Sequence, residues 1–106
     1  MFKALARKYV ELKYRRNNWR IIENLSAEQF AVVLRNYRED GWELTNTYRA
    51  FDASLPDWKG KLRKGTSTLD CQWNASGKGR IIGQAQVMGG VADKLGVSVH
   101  TAPTFR

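Results

Sequence analysis

The chain reads as an α+β domain of split β-α-β-β-α-β order, with two helices on one face of an antiparallel sheet. Three observations predict it. A capped amphipathic helix runs over 26–40, alternating segments follow at 42–50 and 66–73, and a second helical pattern over 84–95 leads into a short extended run. Length and composition suit a single basic α+β domain over 1–106. The chain has 106 residues, 42% hydrophobic and 26% charged, which matches one globular core and leaves no room for two.

The N-terminal third supports two readings. Val10, Leu12 and Tyr14 alternate with Glu11, Lys13 and Arg15 as in a strand, whereas Phe2, Leu5, Tyr9 and Leu12 mark one face of a helix. Trp19 to Glu23 is a strand candidate, and a turn at Asn17-Asn18 would join it to the first strand as a hairpin. The first helix has the firmest signals. Ser26 caps it, Gln29 closes a capping box, Phe30, Val33, Leu34 and Tyr37 follow at helical spacing, and Gly41 ends it.

Trp42, Leu44, Asn46, Tyr48 and Ala50 then alternate with polar residues, so 42–50 reads as a strand. Asp52 to Gly65 reads as a long charged loop, holding Pro56, Trp58, Gly60 and four cations. Either it is mobile until a ligand orders it, or Leu55, Trp58 and Leu62 fold back and pin it to the sheet. Thr66 to Trp73 is the next strand, with Leu69, Cys71 and Trp73 on its buried face. Asn74 to Gly79 is a turn, and Ile81-Ile82 begins either a strand or the approach to a helix. In the helix from Gln84 to Leu95, Val87, Met88, Val91, Ala92 and Leu95 point inward and Gly96 caps the end. Gly89 and Gly90 weaken it in exchange for close packing on the sheet. Val97 to Thr101 is a last short strand, stopped by Pro103.

This order resembles that of ferredoxin-like domains, which include the RNA recognition motif. Lys64-Gly65 stands where that motif begins its third-strand signature. Thr66 and Thr68 occupy the places of the stacking aromatics, so its base-stacking platform is missing. Gly41-Trp42-Glu43-Leu44 resembles the Gly-Trp-Glu-Leu element of small bacterial domains.

Charge is the strongest functional signal. Eighteen Lys and Arg against ten Asp and Glu leave a net charge of +8 and a pI near 10.0, which draws polyanions. The excess falls in two blocks. Residues 1–20 hold seven cations to one acid, and residues 56–80 hold six to two, whereas 21–55 hold three to six.

Catalytic signals are weak. His100 is the only histidine, and no motif sets a Ser, Cys or Asp beside it. Cys71 is alone and faces the core, which excludes an intramolecular disulfide or a Cys-rich zinc site and fits a reducing, cytoplasmic compartment. Glu39, Asp40 and Glu43 read as a solvated rim. Gly77-Lys78-Gly79-Arg80 precedes a helical pattern and could cradle phosphate, but its spacing matches no nucleotide-binding fingerprint. No enzyme, cofactor or metal is expected, and no apolar run approaches the ~20 residues of a membrane span.

Two functions follow. The first is a non-enzymatic module for single-stranded or looped nucleic acid. In it Lys13, Arg15, Arg16, Arg20, Lys59, Lys61, Arg63, Lys64, Lys78 and Arg80 meet phosphates and Trp58 stacks on a base. The second is a protein-binding regulator or inhibitor that docks on an acidic partner by a sheet face, an edge strand or the Trp58 loop. Whether the two basic blocks meet in space discriminates between them.

Overall fold

The computed structural model describes residues 2–45, 47, 49–74 and 76–103, with side chains from Leu5 onward. The elements run α1 (Phe2–Arg16), β1 (Trp19–Leu25), α2 (Ala27–Glu39), β2 (Glu43–Thr45), β3 (Trp58–Lys64), β4 (Ser67–Trp73), β5 (Gly79–Gln84) and α3 (Ala85–Leu95). The strands form one antiparallel sheet in the order β1-β5-β4-β3-β2. β2 to β5 make a continuous meander, and α2 carries the chain from β1 at one edge to β2 at the other. This arrangement corrects the split β-α-β-β-α-β expectation. There is one more strand than in a four-stranded ferredoxin-like sheet, and α3 follows the last strand instead of linking two.

Local chemistry accounts for the boundaries. Ser26 Oγ accepts from Gln29 N (3.1 Å) while Ser26 N donates to Gln29 Oε1 (3.0 Å), the reciprocal capping box. At the other end Gly41 sits at φ 93°. Its N–H donates to Arg38 O, and Trp42 N–H donates to Tyr37 O. These are the two bonds of a Schellman motif, and the indole of Trp42 packs on Tyr37 with ring centroids 5.4 Å apart. Gly41-Trp42-Glu43-Leu44 is therefore a helix stop followed at once by an edge strand. In β1 an extra residue between Ile22 and Leu25, absorbed by Asn24 at φ 61°, makes a bulge that returns Leu25 to the core.

Several expectations change. Residues 2–16 are helical, so the N-terminal hairpin does not form. The strand expected over 42–50 is only Glu43–Thr45; Asn46 and Tyr48 lie outside the described residues. Half of the expected loop over 52–65 is β3. Its alternation of Trp58, Gly60 and Leu62 with Lys59, Lys61 and Arg63 is a strand pattern hidden by charge and glycine. Gly79–Gln84 is β5, so the glycines around Lys78 precede a strand and not a helix. The last strand reduces to a two-bond bridge, Ile21 N to His100 O (2.9 Å) and His100 N to Ile21 O (2.8 Å), which covers part of the β1 edge. Gly89 and Gly90 are exposed with open space around them, so they do not serve close packing.

The two faces of the sheet differ. On the core face Ile22, Leu25, Leu62, Leu69, Cys71, Trp73 and Ile81 meet Phe30, Val33, Leu34 and Tyr37 of α2 and Met88, Val91 and Ala92 of α3. Both helices lie on this side. Phe30, Phe51, Trp58 and Trp73 form an aromatic cluster with ring centroids 4.8–5.8 Å apart. Gly60 and Gly79 make room for it, since a Cβ would collide with the Trp58 indole at the first and the Phe30 ring at the second. The outer face carries Ile21, which is fully buried yet outside that core, together with half-buried Trp19 and Ile82. Buried Tyr14 of α1 packs edge-on against Trp19 at 5.5 Å, which seats α1 on this second face.

Candidate nucleic-acid interface

Strand register brings the second basic block onto the outer face. Lys59, Lys61 and Arg63 alternate with the buried residues of β3, and Arg80 is on the same face of β5. Each has polar company across the strands. Lys61 opposes Asp70 and reaches its Oδ1 at 3.7 Å. Arg63 opposes Glu43 on one side and Thr68 on the other, and its Nε donates to Gly65 O at 3.4 Å. Lys59 opposes Gln72, which accepts from Arg80 Nε at 2.7 Å. The face is a ladder of mixed charge in which Glu43 and Asp70 offset much of the positive field.

The first block is different. α1 carries Lys3, Arg7, Lys8, Lys13, Arg15 and Arg16 against Glu11 alone. Among the described residues Lys8, Arg15 and Arg16 meet no carboxylate. Lys13 Nζ lies 5.8 Å from the Trp19 ring centroid, and Arg20 Nη1 donates to Trp19 O at 2.8 Å. Arg15 and Arg20 share a shallow cleft with Glu11, Asn18 and Thr101. Burial raises the Tyr14 phenol above its ordinary value, Arg80 opposes that rise, and Glu23 and Asp70 add to it. Those three charges belong to β5, β1 and β4, so α1 and Arg80 lie on the same side of the sheet.

Three expected site residues lie elsewhere. Trp58 is 5% exposed, its Nε1 donates to Arg49 O at 2.9 Å, and its ring is enclosed by the aromatic cluster, so it has no face free for a base. Lys64 Nζ donates to Asp40 O at 2.9 Å and caps the C-terminal end of α2. Lys78 is exposed in the β4–β5 turn, away from any helix N-terminus. The turn is closed by Asn74, whose Oδ1 accepts from Ser76 N and Lys78 N and whose backbone O accepts from Gly77 N. Those amides are engaged within the turn and are not free to cradle a phosphate, which favours the reading of simple turn chemistry. Lys8 was not among the expected site residues, and Tyr14 is the anchor that holds its helix to the sheet. The 3.6-residue spacing that sets Lys8 beside Arg15 and turns Tyr14 roughly 100–120° away from them was the available signal.

Burial pushes the Cys71 thiol up to about 12, with a smaller push from Asp70, so the nucleophilic thiolate is suppressed. His100 is exposed and holds Ile21 through its backbone. Glu39 and Glu43 rim a groove of ≈ 650 Å³ between α2 and β2, alongside Arg35 and Arg38. Among the described residues no three His, Cys, Asp or Glu side chains converge as a metal site, and no helix is long and apolar enough to cross a membrane. Comparisons with protein-family models, curated proteins and solved structures find no match to this chain.

Proposed function

We propose that this protein binds nucleic acid through the phosphate backbone, with α1 as the principal contact and the Arg80 end of the outer sheet face beside it. One observation carries the reading: Lys8, Arg15 and Arg16 stand in solvent and, among the described residues, meet no carboxylate, on a helix fixed to the sheet by Tyr14 and Trp19. Fixed, unpaired cations are what a phosphate backbone neutralises, and the released counterions drive association. With Trp58 in the core, single-stranded RNA or DNA is held by charge and not by base stacking. A cytoplasmic setting fits, since the lone thiol is neither paired nor exposed.

The test is the salt dependence of binding to a roughly 15-nucleotide single strand, read by fluorescence anisotropy. The expected log–log slope falls by about 3 when Lys8, Lys13, Arg15 and Arg16 are all replaced by Gln, at ~0.7 for each phosphate left without its cation. Replacing Lys61 and Arg63 instead changes it by well under the ~1.4 that two lost phosphate contacts would give. A flat salt response, or equal slopes in both variants, overturns the proposal.

A further inference from the structure

We infer that the outward stripe of α1 is a coiled-coil seam for a partner protein's helix with acidic flanks. The inference stands apart from the nucleic-acid reading at its apolar stripe, which phosphates do not cover, and shares with it the flanking cations Lys8, Lys13 and Arg15, so the two ligands would compete for α1. Leu5, Tyr9 and Leu12 are 64%, 68% and 49% exposed and stand among the few large hydrophobic side chains left in solvent. Their spacing of four and then three is the a/d alternation of a heptad, and Arg16 takes the next such position. At 100° per residue Tyr14 lies almost opposite them, so the contact that fixes α1 to the sheet turns the stripe away from the protein. Tyr9, Leu12, Lys13 and Arg16 with Asn17 already line a groove of ≈ 320 Å³.

The flanks select the occupant. With Leu5 and Leu12 at d and Tyr9 at a, Lys8 and Arg15 fall at g and Lys13 at e. A parallel second copy would set Lys8 against Lys13, and an antiparallel one would set Lys8 and Arg15 against each other. Self-pairing therefore meets like charges in either orientation. A lipid surface calls for a broader apolar face than two positions in seven. A helix with Leu-type residues at a and d and Glu at e and g satisfies both stripe and flanks, and each flanking cation gains a carboxylate.

The experiment uses the full chain and two synthetic helices about three heptads long, with Leu at a and d and either Glu or Lys at e and g. Saturable binding of the Glu peptide is expected by anisotropy, with the Lys peptide at least about tenfold weaker. In the protein, Leu5→Ser with Leu12→Ser weakens the Glu peptide by at least about tenfold. Both positions are exposed, so unchanged thermal unfolding verifies that the double variant stays folded. Failure to bind the Glu peptide, equal binding of the two peptides, or an indifferent double variant overturns the inference. So does binding to phosphatidylglycerol vesicles, abolished by the double variant, without any peptide binding. The double variant retains its salt slope for the oligonucleotide, so this inference and the nucleic-acid reading fail separately.

Discussion

Residues 1–20 and 56–80 are both rich in cations, and the fold treats them in opposite ways. In the second segment the charges alternate with Trp58, Gly60 and Leu62 along β3, where one face is core and the other is answered by Asp70, Glu43 and Gln72. In the first they surround a helix that touches the sheet through Tyr14 near its C-terminal end and presents both cations and apolar side chains to solvent. Formal charge is therefore a poor guide to field. A cation in a β-ladder has cross-strand neighbours a few ångströms away, whereas one on an outlying helix has only those at three or four residues. The scaffold lies in the block that looked like a binding loop, and the available surface lies in the block whose secondary structure was ambiguous.

The largest expected effect separates scaffold from surface. Trp58→Ala should lower the unfolding free energy by about 3–5 kcal/mol in urea titration, since it empties the centre of an aromatic cluster. Tyr14→Ala should lower it by roughly 2 kcal/mol and speed hydrogen exchange in α1 with little change in β3 and β4. If the two losses are equal and the exchange of β3 rises with that of α1, the helix is integral to the core and the contrast fails.

Cys71, opposite Gly60, reports how dry the ladder is on its inner side. Its folded-state value of about 12 stands above its ordinary 9.0 because burial disfavours the thiolate. The associated stability is fully present below pH 9. Above it the unfolded chain loses a proton that the folded chain keeps, and stability falls by about 1.4 kcal/mol per pH unit until the folded thiol ionises. Burial also raises Tyr14 and Tyr37, which act in the same sense above pH 10. The measurement is therefore the difference between wild type and Cys71→Ala across pH 9 to 10. A pH-independent difference would mean that solvent reaches the thiol.

The smallest effect concerns the outer side of the same ladder. The Lys61–Asp70 pair is half exposed, so Lys61→Ala should cost only about 0.2–1 kcal/mol in urea titration and less in high salt. A loss well above that range would make the cross-strand ions structural rather than merely neutralising.

The capping box at Ser26, the stop at Gly41, the alternation of Leu69, Cys71 and Trp73 and the apolar stripe of α3 were legible from residue order, because each depends on neighbours within one turn or one strand. So was the helical face of Leu5, Tyr9 and Leu12, although a competing alternation of Val10, Leu12 and Tyr14 masked it. β3 was not legible. Gly60 and the cations around it obscure a strand until the Trp58 and Phe30 rings are seen to occupy the space that side chains at Gly60 and Gly79 would take. Charge, composition and local periodicity are properties of the chain itself, and they determined α2, α3, the β4 strand and the net positive charge. Strand order, the burial of Trp58, the neutralisation of Lys61 and the solvent-facing seam of α1 depend on which distant residues become neighbours. Only the tertiary structure decided them, because contact across a sheet is set by register and not by separation along the chain.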